Sequence, residues 1–104
     1  MPSVVELGKG REIATQTVAV GASSTQIGSP FGAQTRQIRL VANTACNVQI
    51  GDGSATATAA SPFLPANSIE YVMVTPGEVL AVIEAATGGL VTATAGTLWV
   101  TELG

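Results

Sequence analysis

No histidine occurs in this sequence, and only one cysteine, Cys46. The first absence removes the commonest general base, the base of hydrolytic triads and the commonest metal ligand. Together the two shortages exclude zinc sites of the Cys/His kind and any intrachain disulfide. Cys46 alternates with Val48 and Ile50 in TACNVQI, so it reads as a small buried apolar residue. Charge is scarce as well. Charged residues make up 11% of the chain, under half of the usual share of about 25%. The four basic residues, Lys9, Arg11, Arg36 and Arg39, form no cluster able to neutralise many phosphates. No nucleic-acid partner is therefore expected. No apolar run approaches the roughly 18 residues of a membrane span, so no membrane partner is expected either. The start, MPSVVELGKGRE, mixes acid with its bases and lacks the apolar region of a secretory signal.

The acids are Glu6, Glu12, Asp52, Glu70, Glu78, Glu84 and Glu102. They are scattered singly, without the D-x-D or E-x-x-E spacing of paired carboxylates, and read as solvated or edge positions. The stretch GDGSATATAAS (residues 51–61) has the glycines of a ligand loop but not its chemistry. It lacks the lysine of a phosphate loop. It offers one acid, Asp52, where a calcium loop presents several carboxylates. Gly51 and Gly53 permit positive φ and Asp52 favours a turn, so the stretch reads as a flexible connection between strands. No catalytic, cofactor-binding or metal-binding residue emerges, and no enzyme activity and no cofactor are expected.

What the chain does have is the makings of an all-β domain. Its 104 residues fit one domain, and hydrophobic residues reach 46%, enough for a single core. The remaining polarity comes from Thr, Ser, Gln and Asn. The surface that results is neutral and small, repels other proteins weakly, and suits a crowded assembly.

Strand signals dominate the pattern. SVVEL (3–7) is short and β-branched. EIATQTVAV (12–20) alternates, with a phase shift in its second half that a bulge or bend explains. RQIRLVA (36–42) puts Ile38, Leu40 and Ala42 on one face, and CNVQI (46–50) does the same with Cys46, Val48 and Ile50. The intervening NTA is short enough for a tight hairpin. SIEYVMV (68–74) carries Ile69, Tyr71 and Met73 on one side. In TPGE, Pro76 and Gly77 occupy the central positions of a type II turn. EVLAVIEA (78–85) is a nearly continuous apolar strand. It has a helical alternative, since Val79, Leu80 and Ile83 share a helical face, but β-branching and flanking turns favour strand. LVTATAGTLWVTEL (90–103) reads as two short strands broken at Gly96.

About eight short strands with turn signals every 8–12 residues predict a single-domain antiparallel β-sandwich, jelly-roll-like. Residues 36–104 are expected to form the sandwich core, and residues 1–35 an N-terminal arm or added strands.

Interface candidates follow from apolar residues in odd places. Val4, Val5 and Leu7 lie in the proposed N-terminal arm. Phe63 and Leu64 sit between Pro62 and Pro65, either as a plug under the sandwich or as a contact for a neighbouring subunit. Phe31, in SPFG, raises the same choice. If Leu98 and Val100 face the core, Trp99 faces outward and marks an interface; otherwise Trp99 is itself a core residue.

The runs RQIRLVANTACNVQIG (36–51) and ATAASPFLPANSIEYVMVTPGEVLAVIEAATGGLVTATAGTLWVTEL (57–103) resemble small β-rich proteins encoded beside the major capsid protein in tailed-phage genomes. The resemblance spans about two thirds of the chain. It implies a virion component: a capsid decoration, or cement, protein on the outer surface of the head, made in the bacterial cytoplasm. It also implies the major capsid protein as partner and a homo-oligomer, dimer or trimer. Two other functions compete with it. One is a different virion part, such as a head-fibre base or tail component. The other is a small carbohydrate- or ligand-binding β-domain, for which the few aromatics, Phe31, Phe63, Tyr71 and Trp99, are a poor supply.

Overall fold

The structure is a computed structural model and describes residues 12–88 and 91–104. Eight strands follow one another: β1 (Glu12–Val20), β2 (Thr25–Gln26), β3 (Gln37–Ala42), β4 (Cys46–Asp52), β5 (Phe63–Leu64), β6 (Ile69–Met73), β7 (Glu78–Glu84) and β8 (Gly96–Leu103). They form two antiparallel four-stranded sheets, ordered β1-β8-β3-β6 (sheet A) and β2-β7-β4-β5 (sheet B). Every connection except β4 to β5 carries the chain from one sheet to the other. This is the strand order of an eight-stranded jelly roll, so the sandwich expected from the sequence is the fold observed.

The alternation in the sequence supplies the core. Sheet A contributes Val18, Val20, Ile38, Leu40, Ala42, Leu98 and Val100; sheet B answers with Cys46, Val48, Leu64, Leu80 and Val82, all buried. Ile27 and Phe31 join the same cluster. Residues 12–35 therefore pack into the sandwich. β1 pairs with β8, β2 pairs with β7, and four side chains of this stretch help fill the core. The expected strand at residues 3–7 lies outside the described residues.

Two local expectations change. NTA is no hairpin: β3 and β4 lie in different sheets, and residues 43–45 turn the corner between them. Asn43 Oδ1 accepts from Thr97 N–H at 2.8 Å and the Thr44 hydroxyl donates to the Thr94 carbonyl at 2.9 Å, fixing that corner against the start of β8. Gly96 opens one continuous strand rather than dividing two, and among the described residues ahead of it Gly88 and Val91 make an isolated bridge. A side chain at Gly96 would collide with Asn43 and Thr44, so the glycine serves the corner, not a break. The TPGE turn does form. Glu78 N–H donates to the Thr75 carbonyl at 3.1 Å and Gly77 takes φ 88°, though it too crosses between sheets rather than closing a hairpin.

A candidate protein-binding face

The outer faces of the two sheets differ. Sheet B is covered by its own chain. The loop 53–62, which leaves β4 through Gly53 at φ 81°, crosses this face. Ala55 N–H donates to Gln26 Oε1 at 3.1 Å and Ala57 N–H to Ser24 Oγ at 2.8 Å, tying the loop to β2 and the residue before it. At its other end the Asn47 amide donates to the Ser61 carbonyl at 2.8 Å, and the Ser61 hydroxyl donates to Gln49 Oε1 at 3.1 Å. Ala55 packs against the core cluster and Ala57 is buried. This cover explains why β7 is apolar on both sides: Val79, Leu80, Ala81 and Val82 are all buried. The small residues of GDGSATATAAS suit it to lying flat on a sheet. The flexible connection expected there is instead a pinned cover, and its Gly51 is needed because a side chain there would meet the Ser54 carbonyl.

Among the described residues, sheet A has no comparable cover over its β3–β6 half. The pairing registers align its outward side chains in rows across the strands. Thr17, Trp99, Val41 and Ile69 form one row; Thr15, Thr101, Arg39 and Tyr71 form the next; Gln37 and Met73 continue it. Trp99 is 41% exposed, Ile69 59% and Met73 72%, with Tyr71 exposed and Val41 half-buried beside them. Together the four exposed side chains leave on the order of 400 Å² of apolar surface in water, within the range of the largest, often functional, patches of single-chain proteins. One cation borders them: Arg39 reaches the Thr101 hydroxyl at 3.4 Å, which also shares a 3.1 Å hydrogen bond with Thr15.

This face settles the position of Trp99: Leu98 and Val100 are fully buried and Trp99 points outward. Phe63 is exposed on β5, at the far edge of sheet B, away from Trp99. Phe31 and Leu64 are corrected. Both are core residues, Leu64 because it pairs with Cys46 and faces the sandwich interior, Phe31 because its loop folds inward beside β7. Neither offers a side chain to a partner. Val4, Val5 and Leu7 lie outside the described residues.

Ile69, Tyr71 and Met73 were not singled out from the sequence as interface residues. Alternation placed them on one side of their strand, and that side faces water. The opposite side, with Glu70 and Val72, faces inward, yet only Val72 packs on the core and Glu70 remains exposed. β6 is the last strand of sheet A, and the matching edge of sheet B is the two-residue β5. The inner side of β6 thus has little to pack against.

The acids are not all peripheral either. Glu102 is 6% exposed and points between the sheets in line with Leu98 and Val100. Its carboxylate accepts from the Thr35 hydroxyl at 2.7 Å, the Gly32 N–H at 2.9 Å and the Gln16 amide at 3.4 Å. Gln16 in turn accepts from the Ser29 N–H and donates to the Ser29 carbonyl. All the donors come from the β2–β3 loop and β1, so this acid fastens that loop to β1 and β8. Among the described residues, no three Cys, Asp or Glu side chains gather as a metal site would require. No protein-family profile, curated protein or solved structure matches the chain.

Proposed function

We propose that this protein is a non-catalytic binding module of a tailed-phage virion, a decoration protein that attaches to the major capsid protein lattice and stabilises the head. The observation that carries this reading is the contrast between the two outer faces. Sheet B is sealed by the chain's own loop, while sheet A leaves Trp99, Val41, Ile69, Tyr71 and Met73 towards solvent. Aromatic side chains and methionine are what buried interface centres are enriched in, and charge is what they lack. A patch of this size is about half of what one partner buries in a standard stable complex. A lattice tolerates such a modest contact, because many copies act together. The assignment to phage heads rests on the resemblance in residues 36–103.

The test uses heads purified from a phage lacking this gene. Adding the wild-type protein is expected to raise the temperature at which they rupture. Adding the Trp99→Ser, Ile69→Ser double variant is expected to leave that temperature unchanged, although the variant's own unfolding is not much altered. Equal heat resistance with and without the wild-type protein contradicts the proposal, as does labelling of tails instead of heads.

A further inference from the structure

A sandwich of two open sheets has four edges, and three of them are blunted. β2 and β5 are two residues long, and β5 is flanked by Pro62 and Pro65. β1 has a register shift between Glu12 and Ala14, and its middle, Thr15 to Thr17, is polar. The fourth edge, β6, has none of these devices. Its five residues, IEYVM, contain no Pro, Gly or Lys. Its pairing with β3 runs without a register shift. Its one charge is Glu70. An exposed, regular, apolar edge of this kind is a template for another strand.

The hydrogen-bond phase identifies which backbone groups are on offer. Val74 N–H donates to the Arg36 carbonyl at 3.0 Å, in register with Gln37 opposite Met73. Backbone groups alternate along an antiparallel strand, so residues 70, 72 and 74 bond to β3. Ile69, Tyr71 and Met73 turn their N–H and C=O groups to the edge, where no described strand pairs with them. These are the same residues whose side chains lie on the bare outer face.

We propose that a second copy of this chain pairs with this edge, β6 against β6, antiparallel, about a two-fold axis at Tyr71. Only in that register do all three edge-facing residues of the strand pair with one another. Tyr71 opposes Tyr71 of the partner subunit as a hydrogen-bonded pair, Ile69 opposes the partner's Met73, and Glu70 opposes the partner's Val72. All three outward-facing residues find backbone partners, apolar side chains meet apolar ones, and the only charge does not meet itself. A shift of the axis to residue 70 sets Glu70 against Glu70 of the partner subunit and leaves Met73 with no strand residue opposite it. The paired sheets form one eight-stranded sheet, with Trp99, Val41 and Tyr71 of both copies on one continuous surface. The proposal concerns the protein alone and stands whether or not that surface binds a capsid.

Light scattering of the purified full chain tests it. A concentration-dependent dimer is expected. In the variant Ile69→Lys with Met73→Lys, like charges oppose each other twice, and dimerisation is expected to weaken about tenfold or more. Ile69→Glu with Met73→Lys sets opposite charges across the same two contacts and is expected to restore the dimer. Tyr71→Pro removes an N–H that points away from β3 and is expected to give a folded monomer. A wild-type protein that stays monomeric overturns the proposal, as does a trimer. A dimer indifferent to the charge pattern overturns the register. A dimer lost on deleting residues 1–11 overturns it in favour of that segment as the occupant of the edge.

Discussion

Cys46 shows how completely one position can be defined by burial. Its side chain is fully enclosed between the sheets, and burial pushes the thiol up to about 11 from its usual 9.0. The protonated thiol is the form the fold holds. Stability linked to this group is complete below about pH 9 and is lost as pH rises through about 11, because the unfolded chain releases its proton first. Thiol reagents are expected to label Cys46 only at the rate of unfolding; rapid labelling of the native protein contradicts the assignment. Glu102 makes the complementary case of a buried polar group. Replacing it with Ala leaves the Thr35 hydroxyl and the Gly32 N–H without their acceptor and should cost about 1–3 kcal/mol in denaturant unfolding. Glu102→Gln retains an acceptor oxygen and should cost less. Gly77, at φ 88°, should not accept Ala without a loss of about 1 kcal/mol or more, read from the same unfolding curve.

At the scale of strands and loops, the loop over sheet B is the element most open to test. Asn47→Ala removes the amide that holds the Ser61 carbonyl inside the protein. It is expected to cost about 1–2 kcal/mol and to raise hydrogen exchange at Ala55 and Ala57, whose N–H groups anchor the loop. Unchanged exchange there contradicts the view of the loop as one pinned cover. The longer strands were legible in the sequence, while the two-residue β5 between its prolines was not. RQIRLVA, CNVQI and EVLAVIEA alternate or run apolar because each is half-buried or wholly buried, and they appear as β3, β4 and β7 with ends differing by a residue or two. Partner choice was not legible. A three-residue link such as NTA permits a hairpin or a sheet-to-sheet corner alike, and what decides is packing: Ile38, Leu40 and Ala42 on one strand and Cys46 and Val48 on the next face each other across the core. The face of β6 was equally hidden. Ile69, Tyr71 and Met73 alternate as core residues do, and only the register with β3 shows that they share the outer face with Arg39 and Val41.

The molecule as a whole is a jelly roll with one sealed face and one bare one. Its core explains stability, its covered face explains the small-residue loop, and neither explains why Trp99, Ile69, Tyr71 and Met73 remain in water. Burial of such side chains is worth more in a complex than in isolation, and a neutral surface around them adds little repulsion. The candidate site was half legible for this reason. Trp99 stood out as an aromatic between two core residues, while its neighbours come from strands distant in sequence that only the registers of β3 with β6 and β8 bring together. The central claim is that sheet A is the face that binds. Oxidative footprinting of the protein, free and bound to phage heads, tests it most directly, with Phe63 on sheet B as internal reference. Protection of Trp99 on binding, with Phe63 unchanged, is the predicted result; protection of Phe63 with Trp99 as reactive as in the free protein would contradict the account.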